Sequence, residues 1–188
     1  NYCEILGNGI NGFKYKKNIT INARNSGTLG RLLLGLLIKA PQKIKLIGDK
    51  SLSKRDFSRV TIPLEKFGVK FYYKIKNKLP LAIVGSEFPK GIKYLEDKGS
   101  AQCKSCVMLA ALNSSGTTFI RAKKSRNHSE LLFKYLKIPI KIKKTKKYDF
   151  INIKQPKKIK AFNYEIPGDI SSSAFFMVLT TLTNNSKL

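Results

Sequence analysis

The sequence predicts an α/β (α+β) protein assembled from repeated βαβαββ units around a shared core of buried helices. Short β-prone segments alternate with apolar helical patterns along most of the 188 residues, which is typical of this class. Apolar helical runs also recur: residues 107–112 align with 32–37, and residues 178–182 align with 108–112, at intervals of about 70–75 residues. A repeat of this length indicates stacked supersecondary units rather than a solenoid of short repeats.

Each element is predicted from its local pattern. The first apolar helix, at 28–39, follows a β-prone segment at 19–21. An amphipathic helix at 56–67 ends at Gly68, a residue typical of helix C-caps, and contains Pro63. The other predicted elements are strands at 43–47, 69–73, 81–84, 117–121 and 139–143 and helices at 102–112, 127–136 and 171–183.

The chain is strongly basic, with a formal net charge of +26 from 37 Lys and Arg against 11 Asp and Glu. Nucleic-acid-binding modules also carry such charge, and that alternative stays open. Only six of the basic residues are Arg, however, and the lysines are dispersed among many Ile, Asn, Phe and Tyr residues, as AT-rich coding alone produces. We therefore interpret most of the charge as solvated surface and expect no nucleic-acid partner.

The three cysteines, Cys3, Cys103 and Cys106, favour a reducing compartment, because their odd number argues against a disulfide framework. Cys103 and Cys106 form a CxxC inside a helical pattern with no second ligand pair, so we interpret them as core and expect no metal. No apolar run reaches the roughly 18 residues of a membrane span, and no signal peptide opens the chain. The sequence therefore predicts a cytoplasmic protein without a membrane partner.

The start of the first buried helix is a candidate anion site. Ser26 is a good N-cap type, Gly27 permits close approach of the backbone, and Arg31 follows one turn later. Unpaired N–H groups and the helix dipole favour an anion there, and a guanidinium can grip a carboxylate or phosphate with two bonds. A merely capped core helix is the structural alternative.

The other repeats carry similar residues at similar places. Small polar residues also open the helices near Ser100 and Ser171, and Arg55 and Arg126 occupy equivalent turns. If the buried helices run parallel, their N-termini converge, and the arginines surround a cleft suited to a multiply charged anion. The alternative is that these arginines are ordinary surface residues.

Five sequence motifs that occur in a fixed order make the functional prediction specific. The motifs are Asn25-Ser26-Gly27-Thr28-x-x-Arg31, Gly48-Asp49-x-Ser51-Leu52-x-Lys54-Arg55, Ser100-Ala101-Gln102-x-Lys104-Ser105, Ser125-Arg126-Asn127-His128-Ser129-Glu130 and Pro167-Gly168-Asp169-Ile170-Ser171-Ser172. Together they resemble the 5-enolpyruvylshikimate-3-phosphate (EPSP) synthase family over nearly the whole chain.

The resemblance implies the enolpyruvyl transferase fold, an inside-out α/β barrel of βαβαββ units with buried helices. It implies that residues 1–164 form most of the first domain, without its opening unit, and that 165–188 are the hinge and first helix of a second domain. The chain would then be the central fragment of a longer enzyme that is a monomer when complete.

The resemblance also implies roles for eight residues. For phosphoenolpyruvate, Gly27 and Thr28 would line the pocket, and Arg31 and Arg55 would bind the carboxylate and phosphate. For shikimate 3-phosphate, the implied residues are Ser100, Ala101, Gln102 and Arg126, with Gln102 also reaching toward phosphoenolpyruvate and Arg126 meeting the shikimate phosphate.

The implied reaction joins the shikimate 5-hydroxyl to C2 of phosphoenolpyruvate and then expels phosphate, in the shikimate pathway of aromatic amino acid biosynthesis. It needs no metal or organic cofactor. The family's catalytic Asp and its Lys and Glu lie beyond residue 188, so the chain alone is expected to be inactive. Arg24 departs from the family pattern, which usually has Gly there. A UDP-N-acetylglucosamine enolpyruvyl transferase is the alternative of the same fold.

Overall fold

The computed structural model describes residues 2–10 and 13–187. Its strands there are β1 (Thr20–Asn22), β2 (Ile44–Ile47), β3 (Lys70–Tyr73), β4 (Leu81–Val84), β5 (Lys93–Glu96), β6 (Thr117–Lys123), β7 (Ile140–Lys144) and β8 (Tyr148–Lys154). Its helices are α1 (Gly27–Leu36), α2 (Lys50–Lys54), α3 (Ser58–Glu65), α4 (Ala101–Ala111), α5 (His128–Tyr135) and α6 (Ile170–Leu182).

The two sheets have the same topology. Their spatial orders are β1-β2-β4-β3 and β5-β6-β8-β7, and in each the first pair is parallel while the other pairs are antiparallel. With α2 as a short insertion, both halves follow the chain order βαβαββ. The predicted fold class and the predicted repeat are confirmed, whereas closure of a complete inside-out barrel stays a prediction.

Helices α1 and α4 form the buried centre and run parallel. Arg31 of α1 contacts Gln102 of α4, and one turn later Gly35 contacts Cys106. The contact is so close that a Cβ on Gly35 would lie 2.2 Å from the Cys106 carbonyl oxygen. The predicted buried helices are therefore confirmed for these two repeats, and their N-termini lie side by side.

The sequence analysis missed β5 and β8, and the reason is the same for both. Each strand points one carboxylate inward, Glu96 in β5 and Asp149 in β8, and both are buried. Each acid is paired with a cation, Glu96 with Arg59 and Asp149 with Lys124. An acid on the inner face breaks the alternation by which a half-buried strand is recognised.

Two predicted helix ends also shift. The amphipathic helix begins at Ser58 rather than residue 56, because the Asp56 carboxylate accepts the Ser58 N–H at 2.7 Å. The first helix ends at Leu36 rather than residue 39 because the chain turns there, with the Ala40 N–H bonded to Leu37 O. The amphipathic helix ends at Glu65 with Lys66 as its C-cap, and Gly68, with φ +91, donates to Glu65 O in the turn that follows.

After β8 the chain runs without strand or helix to α6 in the described residues. None of the α6 residues is buried, although the helix is strongly apolar. Tyr135 of α5 holds the preceding segment by donating to Asn163 O and by edge contacts with Phe162 and Tyr164. A division between residues 164 and 165 fits these contacts and stays a prediction. Among residues 2–10 and 13–187, no helix is long and apolar enough to cross a membrane.

The CxxC cysteines are part of the core, as predicted. Cys103 and Cys106 are free and buried, whereas Cys3 is exposed. Burial raises the pKa of the Cys106 thiol, which keeps it protonated and unreactive near neutral pH.

We therefore expect iodoacetamide to modify one thiol of the native chain, Cys3, and three thiols of the chain in denaturant. Mass spectrometry of the labelled peptides measures this directly. Rapid native labelling of Cys106 would contradict its burial against α1.

Candidate substrate-binding site

The N-terminus of α1 is built as the sequence predicts. Ser26 has extended backbone angles, φ −82 and ψ 96, and its hydroxyl accepts the Leu29 N–H at 3.1 Å. Gly27 directly after it is buried, while Thr28 is exposed. Capping thus leaves the first helical turn open on the side where Gly27 has no side chain.

Two guanidinium groups lie against Gly27. A Cβ built on this glycine would come within 2.8 Å of Arg31 Nη1 and 3.1 Å of Arg55 Nη1. Neither arginine forms an ion pair in the described part of the chain. Two like charges beside a helix N-terminus repel each other and attract an anion, so this cluster suits a multiply charged ligand.

Neutral contacts hold the two arginines. Arg31 Nη1 donates to Gln102 Oε1 at 3.0 Å, and its guanidinium lies 5.4 Å from the centre of the buried Phe57 ring. Arg55 Nη2 has one long contact, 3.5 Å to Asn25 Oδ1, and its side chain is exposed. Arg31 is therefore oriented in advance, whereas Arg55 is held loosely.

The loop before α1 adopts the backbone of a glycine at Arg24. Arg24 has φ +48, in the left-handed region that glycine favours, and this is the position where the resembled family usually has Gly. The Arg24 N–H bonds to Asn22 Oδ1, and its carbonyl accepts the Asp49 N–H, both at 2.8 Å. Arg24 thus adopts the left-handed backbone that glycine favours, and two hydrogen bonds hold it there.

Helix α2, which the sequence analysis did not predict, places Arg55. Asp49 caps it by accepting the Leu52 N–H at 2.7 Å, and Arg55 follows its last residue, Lys54. Since the Asp49 N–H also bonds to Arg24 O, the α1 and α2 loops are joined. This joint brings residues from the first two motifs to one place.

Gln102 joins the third motif to the first. Its amide oxygen accepts from Arg31, and its amide nitrogen donates to Thr28 Oγ1 at 2.9 Å. Ser100 caps α4 by accepting the Cys103 N–H at 3.3 Å, with Ala101 as the first helical residue. The predicted convergence is therefore confirmed for the starts of α1 and α4.

Glu96 supports the start of α4, and the sequence analysis missed it. One carboxylate oxygen accepts the Ser100 N–H at 2.9 Å, and the other accepts from Arg59 at 3.0 Å. The side chain is buried at the end of β5. The available signal was an acid four residues before a helix cap, which is weak without the strand.

Arg126 joins this assembly through its backbone. Its carbonyl accepts from Lys104 Nζ at 3.0 Å, and its side chain is exposed. Hydrogen bonds from Ser172 and Ser171 lower the pKa of Asp169, and the charge of Arg126 adds a smaller effect. In the described residues the hydrogen bond that places Arg126 is made by its backbone, and no hydrogen bond joins its side chain to Arg31 or Arg55. Asp169 caps α6 as expected.

Two cavities of the described residues lie away from this cluster. One of about 540 Å³ is on the outer face of the first sheet, between lysines and Tyr72, and one of about 290 Å³ lies near Tyr15 and Pro41. The arginine cluster is an open surface instead. We assign the candidate site by its chemistry, since the cavity near Tyr72 lacks the cluster's helix termini.

A family model described as EPSP synthase (3-phosphoshikimate 1-carboxyvinyltransferase) matches residues 3–188. The chain belongs to the EPSP synthase family. A 3-phosphoshikimate 1-carboxyvinyltransferase of Thermotoga sp. (strain RQ2) is 41% identical over 165 residues, covering 87% of this chain and 38% of the relative. The protein of the same name from Bacillus subtilis (strain 168) is 36% identical, covering 98% and 42%.

A solved EPSP synthase from Acinetobacter baumannii superimposes with a TM-score of 0.80 at 33% identity, covering 94% of this chain and 39% of that one. The chain thus spans about two fifths of the length of the EPSP synthases it matches. The match confirms the mixed α/β fold class over the superimposed part of the chain.

Proposed function

We propose that this chain is the part of an EPSP synthase that binds phosphoenolpyruvate and shikimate 3-phosphate. The whole enzyme transfers the enolpyruvyl group to the shikimate 5-hydroxyl and releases phosphate. The observation that carries the proposal is the placement of two guanidinium groups beside Gly27, neither in an ion pair within the described residues, with Gln102 joining Arg31 to Thr28. These atoms form a cationic, hydrogen-bonding surface suited to an anion with several oxygens.

Arg31 and Arg55 are the proposed ligands for phosphoenolpyruvate. Both can donate two parallel hydrogen bonds to a carboxylate or a phosphate. Gly27 lets the substrate approach the backbone, and Thr28 completes the wall with its hydroxyl. Because Arg31 is oriented by Gln102 and Phe57, binding there orders few further groups.

Shikimate 3-phosphate is proposed to bind at the start of α4. Ser100, Ala101 and Gln102 supply a helix N-terminus, and Arg126 supplies the cation for the phosphate. Gln102 touches both substrate regions through its contact with Arg31. The enzyme's contribution from these residues is orientation and fixed positive charge, which stabilise the charge that develops during addition and elimination.

The names of the matched relatives favour a shikimate acceptor over a UDP-sugar, and the nucleic-acid alternative has no comparable support. We also propose that the enzyme is a cytoplasmic monomer that acts without a nucleic-acid partner. Free Cys103 and Cys106 suit a reducing compartment.

Amide NMR of the 188-residue chain tests the acceptor. Shikimate 3-phosphate is expected to shift the amides of Ser100, Gln102 and Arg126, and UDP-N-acetylglucosamine is expected to leave them unchanged. A titration with an oligonucleotide is the control for general attraction to the +26 charge. Shifts with the UDP-sugar alone, or with oligonucleotide but no small phosphate ester, would overturn the proposal.

A further inference from the structure

Lys104 carries a fully buried charge that the proposed substrate contacts do not use. It lies in the second turn of α4 at 0% exposure, and its Nζ is 2.6 Å from Glu130 Oε1 of α5, which is also buried. Lys104 is the ion-pair partner of the Glu130 carboxylate in the described part of the chain. Glu130 therefore depends on Lys104 to compensate its charge.

A buried ion pair is a poor means of stabilisation. Removing two charges from water costs several kcal/mol per ion, and apolar pairs of similar volume are often at least as stable. The pair nevertheless has one property that an apolar pair lacks: Lys104 Nζ can direct a hydrogen bond. It does so toward the Arg126 carbonyl, at 3.0 Å.

Two other contacts hold the same loop. Ser105 Oγ of α4 lies 2.6 Å from Ser129 Oγ, and Lys124 at the start of the loop pairs with Asp149 of β8. Lys104 and Ser105 are adjacent in α4. Lys104 contacts the Arg126 backbone, and Ser105 contacts the start of α5. These contacts fix the position of the loop relative to α4, the helix whose N-terminus carries Ser100 and Gln102.

We propose that Lys104 and Glu130 are positioning residues, which hold the Arg126 backbone so that its guanidinium meets the phosphate of shikimate 3-phosphate. This inference rests on the proposed function. Glu130 fixes the Lys104 ammonium, and the ammonium fixes the Arg126 carbonyl. A loop that is already held in place loses less conformational entropy when the ligand binds. Small displacements of a binding group weaken binding strongly.

The test compares the affinities of shikimate 3-phosphate and shikimate for the 188-residue chain, measured by amide NMR titration. Arg126 is proposed to bind the phosphate, which shikimate lacks. Displacement of Arg126 is therefore expected to reduce the affinity for shikimate 3-phosphate relative to the affinity for shikimate. For Lys104→Met we expect this ratio to fall about tenfold or more. Lys98→Met is the matched control, because it removes one exposed lysine near the same helix start and should leave the ratio within about twofold.

The double variant Lys104→Met/Glu130→Leu separates positioning from stability. It replaces the ion pair with an apolar pair, so the melting temperature is expected to recover toward that of the unmodified chain. The affinity ratio is expected to stay low, since methionine cannot donate to the Arg126 carbonyl. Recovery of the ratio together with the melting temperature would overturn the proposal. An unmodified chain that does not respond to shikimate 3-phosphate would instead overturn the proposed function.

Discussion

Replacing Gly35 by alanine is expected to lower the free energy of unfolding by about 3 kcal/mol. The added Cβ would lie 2.2 Å from the Cys106 carbonyl oxygen and 3.1 Å from its carbon. These are backbone atoms inside α4, so no side chain can rotate away and the two helices must separate. Chemical denaturation followed by circular dichroism measures the change.

Gly30→Ala is the matched control in the same helix. Gly30 is also buried, but its nearest neighbours are Phe57 ring atoms at 3.4 Å, which is close to ordinary contact. Alanine is favoured over glycine in a helix by about 1 kcal/mol, which offsets a small adjustment of the ring. We expect this variant to lie within about 1 kcal/mol of the unmodified chain. Equal destabilisation by both substitutions would show that the close crossing at Gly35 is not the cause.

Replacing Arg55 by alanine is expected to weaken phosphoenolpyruvate binding about ten- to a hundredfold, because a hydrogen bond to a charged group contributes about 1.5–3 kcal/mol. Arg55 lies beside Gly27, and in the described residues it forms no ion pair with α4 and its side-chain hydrogen bond is to Asn25. Shikimate 3-phosphate binding should therefore change by less than about threefold. Titrations of each ligand, with phosphoenolpyruvate added in the presence of shikimate 3-phosphate, measure both constants.

Lys54→Ala controls for the loss of one positive charge. Lys54 is exposed and adjacent in sequence, but it does not line Gly27. We expect a change below about twofold for either ligand. If Arg55→Ala weakened both ligands equally, Arg55 would be a structural residue of the α2 end rather than a ligand of phosphoenolpyruvate.

Local chemistry explains why the helix starts could be predicted. Ser26, Ser100 and Asp169 are good cap types, and each accepts a backbone N–H a few residues later. The hydrogen bonds that make a cap span two or three residues, so a short stretch of sequence contains both partners. The recurring apolar runs predicted buried helices for the same reason, since periodicity is a local property.

Long-range pairs explain what could not be predicted. Strands β5 and β8 carry inward acids whose partners, Arg59 and Lys124, lie 37 and 25 residues away along the chain. When its partner cannot be recognised from the sequence, such an acidic residue indicates a loop or an exposed position. The same holds for Lys104 and Glu130, which occur within two of the motifs but form a pair only when α4 and α5 pack.

The repeat of supersecondary units, the capped helix starts and the candidate arginines could be predicted from the sequence, because each depends on residue type and short spacing. The tertiary structure brings Arg31 and Arg55 together beside Gly27 and joins Arg31 to Gln102 of α4. It also decided that Arg126 is attached through its backbone rather than gathered with the other two. The physical reason is the parallel crossing of α1 and α4 at Gly35, which places the two helix starts side by side and depends on atoms from both repeats.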